Sequence, residues 1–598
     1  MTKTIPARDE VPSEYKWRIM DLYSTKAEWQ NSRDALSDQL ARFSGYQGKL
    51  SQPQSLLECL TLSDHINSVL RRVYAYASLQ ADSDSGNAEY QEMKASVMPL
   101  LDRGSAAKAF IEPELLALPE ECLRTMAEQL PGLQKYEFFL KGIMRQKRHV
   151  LSAEQEAFLA STGEILQSAR NTYMTMKGAD LKFPDTPSES GTLEPLTESR
   201  YSKLSRSRDR KVREAAFHNL YAPYFDFRNT FASLYSTSVK SLQFISRTRK
   251  YDTMLEFSLD APNIPASIYE STIETTHKHL PLLHRYMALR KRLLQLDELH
   301  MYDFNVPIGS KFERQFPYEE GLALIRAALA PLGETYLQDM FRGIGNGWID
   351  LYENMGKQSG AYSFGVYDVH PFILTNYDKQ YESVSTLVHE LGHAMHSFYS
   401  SKKQAYINAE YSIFCAEVAS MTNENLLLEY MLKSVSDKEG RTYFLNQYLD
   451  QIRGAVYRQV FFAEFEKITH EMVENGQVLT ADALEALWLK LNRKYYGNQV
   501  VVDEAIKSEW ARIPHFYMDF YVYQYATGYA ASFTLSHNLR HQGEPARQAY
   551  LDYLASGGSD YSIPLLQKAG VDMTSSTPLD LTFEKFAACL DELEELTK

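Results

Sequence analysis

His389-Glu390-Leu391-Gly392-His393-Ala394-Met395-His396-Ser397 lies inside a stretch, Tyr381 to Tyr399, that has few helix breakers and reads as one helix. Asn376 and Asp378 stand just before it as candidate N-caps. On a helix, positions four apart lie one turn apart on one face. His389 and His393 can therefore bind the same zinc ion, while Glu390 sits beside the metal as a base for its water. With 15 histidines in the chain, chance places such a string on the order of 0.02 times in a sequence of this size.

A catalytic zinc usually has three protein ligands and one open position. The segment Tyr411 to Ser420 leads into Asn423, Glu424, Leu426 and Leu427 and reads as the next helix, running back past the first. It puts Glu417 in a mostly apolar stretch, where an unpaired carboxylate is costly and a metal relieves the cost. Glu417 is thus the expected third ligand, with Glu410, at a loop-to-helix junction, as its rival. Glu424 falls on the face of Glu417 and can hydrogen-bond a ligand histidine, although a solvated or capping role fits it equally. The metzincin pattern needs Gly at 396 and His at 399, where this chain has His396 and Tyr399, so that subclass is excluded.

Working outward, the segment Gly360 to Tyr377 is short-stranded in character, with Ala361 to Tyr367 and Phe372 to Leu374 aromatic and β-branched. A small sheet is expected beside the zinc helix. An exposed edge near Tyr362 to Phe364, or His370 to Leu374, can pair with an extended peptide, and an edge covered by the chain itself fits equally well. Elsewhere the chain reads as helices. Thr25-x-x-Glu28 opens one over Trp29, Leu36 and Leu40, and Ser152-x-x-Gln155 opens another over Phe158, Leu159, Ile165 and Leu166. Lys182 to Pro195, rich in Pro, Ser, Thr and Gly, reads as a turn or boundary. The expected fold is mainly α, with an N-terminal helical lobe over 1–200 and a catalytic domain over 201–598.

With 598 residues, 44% of them apolar, the chain can bury a large core. A net charge of -14 argues against nucleic acid or an anionic membrane as partner. Four dispersed cysteines, Cys59, Cys122, Cys415 and Cys589, form no Cys-x-x-Cys pair and suggest buried free thiols. The N-terminal residues lack the apolar core of a secretory signal, and no stretch approaches ~18 uninterrupted apolar residues, which places the protein in the cytoplasm. Nothing in the sequence calls for an obligate protein partner.

Three blocks together resemble the thimet oligopeptidase-like zinc peptidases, and within them the oligoendopeptidase F group. They are the His389 to Ser397 block, Phe414-Cys415-Ala416-Glu417-Val418-Ala419-Ser420, and Ile513-Pro514-His515-Phe516-Tyr517 followed by Phe520 to Gly528. The resemblance covers most of the chain from about residue 200, and more weakly the part before it. It implies a two-lobed helical zincin with a deep channel, one Zn2+ per chain held by two histidines and a glutamate, and short unstructured peptides as substrates. It also implies a histidine and tyrosines that bind substrate and stabilise the tetrahedral intermediate. The histidine maps to His515. The spacing after it is shorter than in the thimet branch, so the tyrosine does not map cleanly. From the residues alone, Tyr517, Tyr521 and Tyr525 are four apart and would line one helical face, with Tyr523 pointing elsewhere. Tyr521 is preferred for the oxyanion and Tyr517 next, while Tyr517, Tyr525 and Tyr362 are candidates for substrate binding. With 40 tyrosines in the chain, simple packing is the competing role for each.

The expected reaction is zinc-dependent hydrolysis of internal peptide bonds with Glu390 as base. Two other readings stand beside it. A zinc aminopeptidase needs an acidic cluster for the substrate amine and usually a shorter gap than the 23 residues between His393 and Glu417. A helical peptide-binding protein with a structural zinc needs four protein ligands and no neighbouring base.

Overall fold

The computed structural model describes residues 5–309 and 314–598. Helices dominate, and the strands are short. The chain forms two compact units built from interleaved segments: Met1–Arg148, Arg314–Tyr430 and Leu535–Val571 in the first, His149–Glu313, Met431–Thr534 and Asp572–Lys598 in the second. A division at residue 200 coincides with none of these boundaries. The turn-rich Lys182 to Pro195 stretch lies inside the second unit, where Thr186–Pro187 and Leu193–Glu194 pair as an antiparallel hairpin.

The first unit shows why a sequential division does not match. Helix Lys26–Ala41 begins at an N-cap on Thr25, whose side chain accepts from the Glu28 N–H, and it buries Trp29, Leu36 and Leu40 as its spacing predicts. These residues share one apolar core with helix Pro53–Ser83 and with Val366, Phe372 and Leu374, some 300 residues further along the chain. Each aliphatic side chain fully buried there contributes about 1.5–3 kcal/mol, so the N-terminal helices and the sheet stabilise one another. In the sheet, Phe372–Leu374 is central, parallel to Ile349–Asp350 and antiparallel to Tyr362–Phe364. Of the two stretches expected as an edge, Tyr362–Phe364 lies at the margin of the sheet among the described residues, whereas Phe372–Leu374 within His370 to Leu374 is paired on both sides. Buried Asp350 is matched by Arg8 and by Lys357 at 2.8 Å.

In the second unit, helices Arg228–Thr248, Arg458–Glu474 and Ala481–Tyr496 enclose an aromatic core. Trp488, Phe465 and Phe516 pack there with Tyr235. Ser152 and Gln155 form the expected capping box of helix Ala153–Ser161. Leu159 is buried, but Phe158 and Ile165 are exposed, so that pattern is only partly a core face. None of the four cysteines is in a disulfide; Cys59, Cys415 and Cys589 are buried as expected, while Cys122 is half-buried. Among the described residues, no helix is long and apolar enough to cross a membrane.

Candidate metal centre

Helix Tyr381–Lys403 forms where the sequence predicts it, with Val384, Leu387, Val388 and Leu391 turned into the core. Its start differs in detail. Gln380 is the N-cap and makes no side-chain cap bond. Asp378 accepts from the Ser383 hydroxyl at 2.5 Å and from the Gln380 N–H at 3.1 Å, while Asn376 donates to the carbonyls of Gln358 and Gly360. Helix Ile413–Ser434 crosses it at Gly392. A Cβ built on Gly392 would lie 2.5 Å from the Ser420 Cα, so only glycine admits this approach. The Asn423 amide donates to the Val388 carbonyl at 3.3 Å and pins the same crossing.

The crossing brings His389, His393 and Glu417 together, with one donor atom from each lying within 4.8 Å of the others. The two Nε2 atoms are 3.2 Å apart, and the Glu417 Oε2 lies 3.3 Å from His389 Nε2 and 3.6 Å from His393 Nε2. Bonds of about 2.0–2.1 Å at tetrahedral angles give donor separations of about 3.3–3.4 Å. The triangle therefore fits a tetrahedral cation of that bond length with a fourth position left open. Two imidazole nitrogens aimed at one point also fit a shared cation better than they fit each other.

The neighbours tune these groups. Glu424 accepts from the His389 Nδ1 at 3.1 Å and from the Ser385 hydroxyl at 3.3 Å, which turns the other ring nitrogen toward the cluster. In the metal-free chain, burial disfavours a charged His389, but hydrogen bonds to Glu417 and Glu424 outweigh it and raise its pKa to about 10. Burial would likewise raise Glu417, yet hydrogen bonds from His389 and His393 hold its carboxyl well below the usual range. Glu390 is 7% exposed, and burial lifts its pKa, with the charges of His389 and His393 pulling the other way. A carboxylate raised in this way is a stronger base.

The other candidates separate clearly. Glu410 is outside the cluster, exposed and paired with Arg71 at 2.6 Å. His396 is buried against Tyr411 with ring centroids 3.6 Å apart, and burial drives its pKa down to about 3, which keeps it neutral. Tyr362 donates its hydroxyl to Asp82 at 2.9 Å from the edge strand.

His515, Tyr521 and Tyr525 belong to the second unit, where they form a cluster of their own. His515 stacks on Tyr521 with centroids 6.1 Å apart, and Tyr525 meets Tyr521 edge-on at 5.4 Å. The Tyr525 hydroxyl is 3.5 Å from the His515 Nε2. Burial, with the Lys177 charge adding to it, lowers the His515 pKa and favours the neutral ring. The single helical face expected for Tyr517, Tyr521 and Tyr525 does not exist, because the helix starts only at Tyr523. Asp519 and Phe520 before it have φ of 49° and 64°. Tyr517 is a core residue, 7% exposed and stacked on Tyr173 at 4.3 Å. Tyr523 is buried against Tyr269, pointing elsewhere as expected.

Sequence reasoning missed Gly392 as the point of closest approach between the two helices that carry His389, His393 and Glu417. A glycine inside a helix that otherwise favours bulk was the available signal. It also missed Asn423 and Ser385, whose partners lie on another helix and leave no mark in local spacing.

Comparison with known proteins identifies the family. Peptidase family M3 matches residues 203–585, and the family described as Oligopeptidase F matches residues 114–183. The chain belongs to Peptidase family M3, and it is a metalloendopeptidase. It is 41% identical over 593 residues to Oligopeptidase PepF of Bacillus subtilis, spanning 99% of this chain and 88% of the relative. It is 41% identical over 590 residues to Group B oligopeptidase PepB of Streptococcus agalactiae, spanning 98% of each. The crystal structure of oligoendopeptidase-F from Enterococcus faecium superposes with a TM-score of 0.76 at 37% identity, over 96% of this chain and 99% of that one.

Proposed function

We propose that this metallopeptidase is a zinc-dependent oligoendopeptidase that hydrolyses internal bonds of short, unstructured peptides. The observation that carries the reading is the His389, His393 and Glu417 triangle, whose 3.2–3.6 Å edges suit tetrahedral zinc, with Glu390 next to His389 in the chain. Bound zinc supplies Lewis acidity, polarising a carbonyl and making water a nucleophile near neutral pH. Glu390 takes the proton from the attacking water and passes it to the leaving amine. Glu424 holds His389 in the tautomer that offers its Nε2 to the metal. His515 and Tyr521 donate hydrogen bonds to the oxyanion, each worth about 10²- to 10³-fold in rate. The strand Tyr362–Phe364, which stands at the edge of its sheet among the described residues, pairs with the backbone of an extended peptide, which suits broad specificity.

The preference for short peptides is supported by the names of the relatives, which are oligopeptidases. A folded domain would have to open locally, at a cost of several kcal/mol out of a total stability of about 5–15 kcal/mol. The test is digestion of a peptide blocked at both ends beside a stable native protein. The peptide is expected to be cut internally and the protein to survive. Failure to cut any blocked peptide, with release of single residues from free N-termini, would establish the aminopeptidase reading instead.

A further inference from the structure

Glu466, on helix Arg458–Glu474, is fully buried in the second unit, and among the described residues no cation pairs with its side chain. One carboxyl oxygen accepts the Phe520 backbone N–H at 2.8 Å, while the other, Oε2, has no hydrogen-bond partner among the described residues. Burial lifts this carboxyl to about 8, with the Phe520 N–H pulling it down and the Asp519 charge raising it further. Packing alone would favour an apolar residue here, because a buried oxygen without a partner is costly.

The group it grips is unusual too. Asp519 and Phe520 are consecutive non-glycine residues in the left-handed region, with φ of 49° and 64°. Such strain persists only where the surroundings over-determine it. The Phe520 ring is held by His470 at 4.5 Å and by Tyr269 at 5.7 Å, so both its side chain and its N–H are fixed. His470 is itself tied to the same turn of helix, its Nδ1 lying 2.7 Å from the Glu466 carbonyl. The next residue in the chain is Tyr521, which the left-handed pair directs onto His515 and Tyr525.

We propose that Glu466 is a positioning residue for peptide hydrolysis: its buried carboxyl holds the strained Asp519–Phe520 turn, and that turn sets Tyr521 against His515. The proposal rests on the reading of Tyr521 and His515 as oxyanion donors. Glu466 touches no reacting atom. Its contribution is geometric, and a displacement of ~1 Å in a catalytic group costs about 10²-fold in rate.

The experiment compares Glu466→Leu, Glu466→Gln, Tyr521→Phe and the Glu466→Leu/Tyr521→Phe double variant in the full-length, zinc-loaded enzyme. The substrate is an internally quenched peptide blocked at both ends. Glu466→Leu is expected to lower kcat by about 10²-fold with KM and zinc content nearly unchanged. Glu466→Gln should stay close to wild type, because its amide oxygen still accepts from Phe520. In the double variant, loss of Glu466 should add little to the loss caused by Tyr521→Phe, as for two residues acting through one hydrogen bond. If Glu466→Leu does not fold, Glu466→Asp, which withdraws the oxygen by one methylene, replaces it with the same expectation. A Glu466→Leu enzyme with normal kcat, a fully additive double variant, or a Gln variant as impaired as Leu would overturn the positioning role alone. A Tyr521→Phe enzyme with normal kcat overturns the oxyanion reading and this proposal with it, so the two failures are distinguishable.

Discussion

Replacing Gly392 by alanine adds a single methyl group to the helix that carries both histidines, and its consequence follows from three distances. The new Cβ would stand 2.5 Å from the Ser420 Cα and 2.8 Å from both the Ala419 carbonyl oxygen and the Ser420 nitrogen. Carbon atoms pack comfortably at about 3.5–4.0 Å, so the helices must part by about 1 Å. No rotamer change relieves the clash, since every atom met is backbone, and trimming Ser420 to glycine would not help either. Glu417 is on the helix that moves, less than one turn before Ser420. Its present separations of 3.3 and 3.6 Å from the two histidine nitrogens would grow past about 4 Å, beyond the about 3.3–3.6 Å that bonds of about 2.0–2.2 Å at tetrahedral angles give. The overpacking itself costs about 1–3 kcal/mol of stability. Disturbed ligand placement of this kind lowers metal affinity by about 10–100-fold. Zinc titration of the chelator-stripped protein, with a thermal melt of the same samples, reads both effects. A Gly392→Ala protein with wild-type zinc Kd and unchanged Tm would show that the helix contact does not set the ligand geometry.

Three further outcomes are expected. Alanine at His389, His393 or Glu417 should abolish stoichiometric zinc binding, whereas Glu410→Ala, which breaks only an exposed pair with Arg71, should keep it; metal analysis of the purified variants decides between them. Glu390→Gln should bind zinc and fold normally yet lose nearly all turnover, because the amide keeps the shape and cannot accept the proton, and near-normal turnover in the zinc-loaded variant would remove Glu390 as base. Zinc affinity should climb with pH, by up to about tenfold per unit, since His389 keeps its proton up to about 10 in the metal-free chain and the ion must displace it. Without metal, the stability from raised His389 is complete below pH 6.5 and lost as pH rises through about 10. That from depressed Glu417 is present above pH 4.5 and lost as pH falls. Melts of the stripped protein should therefore show this pair stabilising most between those two limits, and a flat profile would contradict the coupling.

What the sequence by itself determined is what local periodicity encodes. The four-residue spacing of His389 and His393 places both on one helical face, and the apolar setting of Glu417 marks it as a carboxylate in need of a cation. Aromatic and β-branched residues around Phe372 marked a strand, and Thr25 and Ser152 announced helix starts through hydrogen bonds that close within one turn. Tertiary structure decided the rest, because those outcomes depend on atoms brought together from distant parts of the chain. Glu410 lies outside the histidine cluster, paired with Arg71 on a helix more than 300 residues earlier, and Tyr517 is buried against the ring of Tyr173. The helical register assumed through Tyr517 and Tyr521 fails because two left-handed residues interrupt it, held there by packing and by the buried carboxyl of Glu466 rather than by any local preference. The N-terminal 148 residues join the same unit as the metal helices because their apolar faces are completed by Val366, Phe372 and Leu374. A spacing rule sees one helix at a time, whereas burial, ion pairing and strain are settled only by what lies opposite.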